Sequence, residues 1–337
     1  FELGGAVIGL FRFDETEFTE ETALMVTESN PIGYFEFDKV PVGNWLVREI
    51  APPAAFVLTE EIFPVEITED GQTIEITIEN QIIKGTAETI KVDADYPDHK
   101  LSGAVFEVYA DVDNNGEFNA DIDKLAGEMT ETEPGLYQMK DLVYGNYFLH
   151  EKESPEFFQR DENYYPFSIT ENEAIVRIET EAGVGFLNKA QTGSLKVVKT
   201  ADDDKIEGRT FKITGTDFMG NPYEQEFQTD ENGEINVELR VGEYTVSEVA
   251  GEDSEKYILP DDQTVEIKAG ETTTVKMHNR LVPEVPTVPQ TGDHPWTPAV
   301  LIGLSVLAVL SAGGLLVLRF AGKKKKATGD EDQGAEE

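Results

Sequence analysis

From Phe1 to Val282 apolar and polar residues alternate over runs of five to seven positions. That period of two belongs to strands with one buried face, because successive side chains of a strand point to opposite sides. The turn pairs Asp70-Gly71, Asn115-Gly116 and Asn232-Gly233 interrupt the runs and predict hairpins. No long segment before Pro298 carries a helical period. Residues 298 to 318 break the pattern: they hold no charge, and Ser305 and Ser311 are their only hydroxyl residues. At about 1.5 Å per residue such a run crosses roughly 30 Å of hydrocarbon, which predicts one transmembrane helix over 298–320. Lys323, Lys324, Lys325 and Lys326 follow it and act as a stop-transfer signal that keeps the tail cytoplasmic. Everything before Pro298 then lies outside the membrane.

The alternating region repeats itself. Gly-x-aromatic-x-x-x-Glu occurs from Gly43 to Glu49, from Gly145 to Glu151 and from Gly242 to Glu248, with a further turn glycine about ten residues upstream at Gly33, Gly135 and Gly233. Each copy closes on a short strand that carries Asn80, Asn188 or Asn279. Such periodic self-similarity marks tandem copies of one domain. The reading is an all-β protein of three tandem β-sandwiches, each of roughly 80 to 110 residues: residues 1–84, truncated at the N-terminal side, then 85–191 and 192–282. Residues 283–297, with Pro283, Pro286, Pro289 and Pro295, form an extended linker, ahead of the helix at 298–320 and a cytoplasmic tail at 321–337.

Side-chain phase points to chemistry. Residues two apart on a strand share a face, so Glu49 follows Trp45 and Val47 inward, Glu151 follows Tyr147 and Leu149, and Glu248 follows Tyr244 and Val246. Asn80 shares its face with Ile74, Ile76 and Ile78, Asn188 with Val184 and Phe186, and Asn279 with Val275 and Met277. A carboxylate alone in a core takes up a proton or finds a partner. Lysines fit that role: Lys91 lies six residues after Gly85 and Lys199 six after Gly193. Lys199 is in phase with Leu195 and Val197, and Lys91 with Ala87 and Thr89. The first repeat has Glu49 and Asn80, but Gly5 corresponds to Gly103 and Gly208, which stand 12 and 9 residues after their lysines. Its lysine is expected ahead of Phe1.

Composition narrows the partners. Sixty-seven acidic against 27 basic residues give a net charge of −40, which disfavours nucleic acid and anionic lipid as partners of the outer region. With no cysteine, neither disulfides nor thiolate metal sites brace the domains. The chain opens on Phe1 with no signal peptide, which reads as a C-terminal fragment of a longer secreted protein. No metal site is expected. Asp111, Asp113, Asn115 and Gly116 open like a calcium loop, but the twelfth position is Ile122, where a bidentate carboxylate belongs.

The segment Val288-Pro289-Gln290-Thr291-Gly292, followed by the apolar span and the lysine cluster, resembles the cell-wall sorting signal of Gram-positive surface proteins, a Leu-Pro-x-Thr-Gly pentapeptide with Val288 in place of Leu. The resemblance implies that a sortase cysteine attacks the Thr291 carbonyl, releases Gly292 onward and passes the acyl group to an amine of a peptidoglycan cross-bridge or a pilin lysine. The membrane then holds only a precursor, and the mature protein sits in the cell wall at the extracellular surface. The repeats, on phrases such as Leu101 to Tyr109 and Tyr147 to Pro155, resemble the CnaB-type, or SpaA-like prealbumin-fold, domains of Gram-positive pilins and adhesins.

That second resemblance implies spontaneous isopeptide bonds, Lys91 to Asn188 with Glu151 and Lys199 to Asn279 with Glu248 as the proton shuttles. Burial favours a neutral amine and a protonated carboxyl, the amine attacks the amide carbon, the carboxyl polarises the amide carbonyl and moves protons, and ammonia leaves. No cofactor and no external enzyme are needed, and no turnover of a substrate is expected. The alternative is a hydrogen-bonded triad with no covalent bond. For the whole protein the sequence suggests a wall-anchored stalk; a minor or basal pilus subunit and an adhesin binding a host surface ligand are the other readings. The third repeat also departs from the other two, since Pro52 and Pro155 follow their Glu strands whereas Glu248 is followed by Gly251-Glu252-Asp253.

Overall fold

Alternating segments become strands in this protein wherever a neighbour exists to complete their hydrogen bonds. The computed structural model describes residues 3 to 284. Residues 1–282 gather into one unit and Pro283–Glu337 into another. The expected sorting motif Val288 to Gly292, the helix over 298–320 and the lysines 323 to 326 therefore lie outside the described residues. Among the described residues no helix is long and apolar enough to cross a membrane, and a single 3-10 turn, Ser254–Lys256, interrupts the strands.

The third repeat is a sandwich of two four-stranded sheets. One sheet runs Glu234–Arg240, Thr192–Ala201, Thr272–Leu281, Tyr257–Ile258; the other runs Pro222–Gln228, Thr210–Asp217, Gly242–Glu248, Gln263–Ile267. Its first strand, Thr192–Ala201, is central, antiparallel to Glu234–Arg240 and parallel to the last strand, Thr272–Leu281. Leu195, Val197, Phe211, Ile213, Val246 and Met277 fill the space between the sheets. The second repeat follows the same plan. There Lys84–Asp93 lies between Leu136–Val143 and Ile175–Arg177, and its far end pairs in parallel with Phe186–Asn188. The facing sheet runs Tyr164–Ile169, Gly145–Glu153, Val105–Ala110, Lys124–Glu128.

The first repeat departs from the expected sandwich. It has the Glu-bearing sheet, in the order Met25–Glu28, Val7–Arg12, Gly43–Ala51, Ile62–Ile67, and a two-stranded ribbon of Phe56–Val57 with Gln81–Ile82. Among the described residues it has no second sheet. Residues 34–38 and 75–80 alternate in exposure but join no ladder, so the strand expected to end at Asn80 is not formed. Their counterparts in the second repeat are held by the strand between them, Lys84–Asp93, which has no equivalent in the first repeat among the described residues. Ile76 and Ile78 still lean on the core of the single sheet, while Ile74 is 42% exposed.

The repeated motif has a local cause in all three copies. Trp45 Nε1 donates to Pro41 O at 2.9 Å, Tyr147 Oη to Val143 O at 2.7 Å and Tyr244 Oη to Arg240 O at 2.9 Å. Each aromatic thus buries its body in the core and ties its polar end back to the preceding turn. The glycine permits a close approach: a Cβ on Gly242 would stand 2.3 Å from Thr216 O.

The second and third repeats are joined through Arg240, a residue to which the sequence pattern assigns no role. Its guanidinium donates from Nη1 to Asp217 Oδ2 at 2.8 Å and from Nη2 to Asp93 Oδ2, and lies over the rings of Tyr96, Phe218 and Phe158 at 5.1, 5.5 and 5.9 Å. Asp93 is fully buried, so this charge pair is desolvated on the carboxylate side, and losing one member of such a pair costs about 3 to 5 kcal/mol. Asp93 ends the first strand of the second repeat, which an arginine of the third repeat therefore holds in place.

Because the first repeat has one sheet and two unladdered segments, its amides are expected to exchange first. Hydrogen exchange followed by mass spectrometry should show residues 34–40 and 73–80 open well before Lys84–Asp93 and Thr192–Ala201. Equal protection in all three repeats would contradict this account.

Candidate functional site

The turn glycine upstream of each motif fixes where the lysine sits. Gly135 and Gly233 both adopt φ of 72°, a left-handed conformation that glycine reaches without steric cost. The carbonyl of Gly135 accepts from Lys91 N at 2.8 Å and that of Gly233 from Lys199 N at 2.8 Å. The backbone of each lysine is thus pinned by the turn that begins the neighbouring strand. Register does the rest. In the parallel pairing Lys91 lies opposite Phe186 and Asp93 opposite Asn188, and Lys199 lies opposite Met277 and Ala201 opposite Asn279. In both repeats the asparagine comes two positions beyond the lysine on the adjacent strand, on the same inner face. The facing sheet delivers the carboxylate: Glu151 pairs with Phe106 and Glu248 with Phe211.

In the second repeat Lys91, Glu151 and Asn188 meet in a closed site. Lys91 and Glu151 are fully buried and Asn188 is 2% exposed. Lys91 Nζ donates to Asn188 Oδ1 and stands 3.2 Å from Glu151 Oε1. Asn188 Nδ2 donates to Glu151 Oε1 and Oε2 at 2.8 and 2.9 Å, and Asp161 N donates to Oε2 at 2.8 Å. The Lys91 ammonium lies 4.3 Å from the centre of the Phe186 ring and 5.8 Å from that of Phe106. Burial among these rings pushes the Lys91 amine down from its ordinary 10.5 to about 8, against the opposing pull of Glu151.

The third repeat places Lys199, Glu248 and Asn279 alike. Lys199 Nζ donates to Glu248 Oε2 at 2.8 Å and Asn279 Nδ2 donates to Glu248 Oε1 at 2.7 Å. Asn279 Oδ1 is buried without a hydrogen-bond partner, so its carbonyl lacks the stabilisation that most buried acceptors have. Burial lowers the Lys199 amine as well, with Glu248 opposing. The loop after the carboxylate differs as the sequence suggests. In the first two repeats, where Pro52 and Pro155 follow the strand, an amide ten residues on returns to the carboxylate: Thr59 N to Glu49 Oε2 at 3.0 Å and Asp161 N to Glu151 Oε2 at 2.8 Å. In the third repeat the two carboxylate oxygens go to Lys199 and Asn279.

The first repeat brings together only Glu49 and Asn80. Asn80 Nδ2 donates to both Glu49 oxygens at 2.9 and 2.8 Å, and Glu49 is 1% exposed. Among the described residues no lysine or arginine forms an ion pair with it.

One arrangement differs from expectation in both complete sites. The carboxylate faces the amide nitrogen of the asparagine and not its carbonyl oxygen. The carboxylate therefore bridges the lysine amine and the amide nitrogen, in place of the expected contact with the amide carbonyl.

The acidic loop of the second repeat also differs from its sequence reading. One carboxylate oxygen each of Asp111, Asp113 and Asp123 lies within 4.8 Å of the others. Asp123, one residue past the Ile122 of the spacing count, joins this cluster. Asp111 already accepts from Asn115 N and Gly116 N, and Asp123 from Val112 N and Asn119 N, so these carboxylates order the loop.

Comparison with known proteins accords with the repeats. The family described as SpaA, prealbumin-like fold domain, matches residues 1–82, 85–183 and 193–281. No curated protein matches the chain. Among solved structures it is similar to the Bacillus anthracis TIE protein, at 24% identity and a TM-score of 0.59 over 82% of this chain and 48% of that one. The chain thus spans about half the length of that relative. It also matches the streptococcal ancillary pilin at 18% identity, TM-score 0.30, over 83% of this chain and 92% of that one. A C-terminal fragment of the pilus adhesin SpaC from Lactobacillus rhamnosus GG matches at 13% identity, TM-score 0.34, over 61% and 100%. The likeness to the first of these, at 24% identity, shows the fold alone.

The lowered Lys91 amine makes a stability prediction for a protein that cannot crosslink its second repeat. Burial still lowers the Lys91 amine of folded Asn188→Ala below its unfolded 10.5, so between the two pKa values the unfolded chain holds the extra proton. With the folded amine at the wild-type value of about 8, stability should rise with pH across that window by about 3 kcal/mol in total, and be lost again as pH falls to about 8. Urea unfolding of Asn188→Ala, compared with Asn188→Ala/Lys91→Met, measures it; identical pH profiles would contradict the assignment.

Proposed function

Since this chain belongs to the family of SpaA prealbumin-like fold domains, we propose that it is a structural component of the Gram-positive cell surface, a sortase-anchored stalk whose second and third repeats are stapled by Lys91–Asn188 and Lys199–Asn279 isopeptide bonds. The observation that carries this reading is the recurrence of one buried Lys, Glu and Asn set in the same register in two repeats. In each, the neutral amine attacks the asparagine Cγ. The carboxylate takes a proton from the amine and gives it to Nδ2, the Cγ–Nδ2 bond breaks, and ammonia departs as the new Cγ–Nζ bond remains. The fold holds the reactants at contact distance, so effective molarity replaces an external catalyst. Closing a loop of 97 residues in the second repeat stabilises it by about 4 to 5 kcal/mol by loop-closure entropy.

Position matters more than that increment. Lysine and asparagine lie near the same end of the first and last strands of a repeat, which run parallel side by side in the third. Tension entering along Thr192–Ala201 reaches Lys199, crosses the staple to Asn279 and leaves at Leu281. The residues between carry no load. This suits a shaft under pull, and the charge of −40 keeps it soluble. Anchoring is supported by Val288 to Gly292, the apolar run after Pro298 and the lysines 323 to 326; the partners are a sortase and the amine of a wall cross-bridge or a pilin lysine.

Two experiments test the proposal. The intact mass of the chain made without any helper enzyme should fall short of the calculated value by two ammonia molecules, and Glu151→Ala should restore one. Pulled from its ends in a force spectrometer, the wild type should show no full-length extension from repeats two and three, and Lys199→Ala should release one such step. A mass equal to the sequence would sink the covalent claim.

For anchoring, the mature protein in a Gram-positive host should end at Thr291 and leave the wall only when peptidoglycan is digested. Thr291→Ala should leave it in the membrane fraction. Wall-associated material that still carries residues 293 to 337 would decide against sorting.

A further inference from the structure

We infer that Arg240, a residue of the third repeat, is a positioning residue for the Lys91 to Asn188 bond of the second: by holding Asp93 it fixes the strand end that carries Lys91 and pairs with Asn188. The inference rests on the isopeptide reading above and adds to it control of one repeat's reaction by its neighbour.

Asp93 stands between the backbones of both reactants. Lys91 precedes it by two residues on the same face of the strand, and Asn188 is its partner in the parallel register. The next amide, Ala94 N, donates to the Asn188 carbonyl at 2.9 Å. The Asp93 carboxylate is fully buried; Oδ1 accepts from the Asp95 amide at 2.9 Å and Oδ2 from the Arg240 guanidinium. Arg240 is fixed in turn by its own repeat. Its Nη1 donates to the buried Asp217 at 2.8 Å, and its carbonyl accepts from the Tyr244 hydroxyl at 2.9 Å. The planar guanidinium thus ties a carboxylate of one repeat to a carboxylate of the next by charge-assisted hydrogen bonds, the stronger kind.

A second contact reaches Lys91 across the same junction. Leu101 N donates to the Lys91 carbonyl at 2.9 Å, and the Leu101 side chain packs in one apolar cluster with Phe158, Ala190 and, from the third repeat, Phe218. Phe218 N donates at 2.9 Å to the carbonyl of Val241, the residue after Arg240. One short segment of the third repeat therefore braces the lysine strand at two points.

The third repeat shows why the second needs this. Its lysine strand runs beside an unbroken partner, with eight parallel pairs up to Ala201 opposite Asn279. In the second repeat the partner is interrupted between Arg177 and Phe186, so the reactive end rests on three pairs, Lys91 to Asp93 against Phe186 to Asn188. The place of Asp93 is taken in the third repeat by Ala201, which has no group for an arginine to hold. The place of Arg240, two residues before the motif glycine, is taken by Pro41 and Val143 in the other repeats. Carboxylate and arginine occur together where the asparagine strand is short.

The test is the rate at which each bond forms. The full chain is made by cell-free translation, sampled over time and digested, and the Lys91–Asn188 and Lys199–Asn279 crosslinked peptides are quantified separately by mass spectrometry. Arg240→Met should slow the first bond roughly 10- to 100-fold, the loss expected when reacting atoms shift by about 1 Å, and leave the second at the wild-type rate. Arg240→Lys, which keeps a cation opposite Asp93, should recover part of that loss. Because Arg240→Met leaves a buried carboxylate unpaired, the double variant Arg240→Met/Asp93→Asn removes the charge as well, and hydrogen exchange of Lys84–Asp93 reports whether its strand is folded. With wild-type protection there, the first bond should still form slowly. A wild-type rate in Arg240→Met or in the double variant, equal slowing of both bonds, or no recovery in Arg240→Lys overturns the positioning role while the isopeptide reading stands. Loss of protection in the double variant assigns Arg240 to folding alone and overturns it too. A wild type that forms no Lys91–Asn188 bond overturns the isopeptide reading of the second repeat itself.

Discussion

A lysine ammonium and a glutamate carboxylate enclosed together in an apolar core constrain the rest of this structure. Each charge alone would cost several kcal/mol to bury, and aromatic rings surround the amine closely in the second repeat. The site tolerates this by spending every polar atom on its partners: in the second repeat Glu151 accepts from Asn188 and from the Asp161 amide beside the ammonium. In the second repeat Asn188 both offers an acceptor to the amine and gives a donor to the carboxylate with one planar amide. The contact geometry that satisfies buried charges is the same geometry that brings an amine to an amide carbon. Stability of the unreacted site and readiness to react are two consequences of one arrangement.

Much of this is written in the sequence because strand periodicity converts directly into facing. Glu49, Glu151 and Glu248 follow apolar residues at intervals of two, and their burial follows from that phase. The asparagines of the second and third repeats are equally legible, since Phe186, Val275 and Met277 keep them inward. What the sequence hides is anything that depends on pairing between distant segments. The run from Ile74 to Asn80 alternates as well as any strand in the chain, but it forms none, because hydrogen bonds need a neighbour and periodicity within one segment says nothing of its neighbour. Arg240 escapes for the same reason. It ends the strand Glu234–Arg240, two residues before the motif glycine Gly242, with no periodic signature, and acquires its role only when Asp93, 147 residues away, arrives beside it. Spacing also hides that Asp111, Asp113 and Asp123 come within 4.8 Å of one another.

Asp93 links the joint to the reactive site. It shares the inner face of its strand with Lys91, two residues earlier, and lies opposite Asn188 in the register. Its carboxylate accepts from Arg240 of the third repeat and from the Asp95 amide. The strand that presents the lysine is therefore fixed at this end by a neighbouring domain. A tether placed two residues from Lys91 restricts the strand's sliding and rotation, and for the proposed isopeptide reaction small displacements of the reacting atoms would reduce effective molarity steeply.

That coupling gives the repeats a direction. The third repeat supplies the arginine that steadies the second, while Lys199 stands in a strand whose following residue, Thr200, donates to or accepts from His278 on the parallel strand beside it, with no contribution from another repeat needed for its register. The second repeat thus depends on the third for the order of its lysine strand, and the third holds its own through eight consecutive parallel pairs from Ser194 to Ala201. A tandem array built this way is more than a string of equal beads: part of the precision of the second repeat's site is carried by the domain that follows it in the chain.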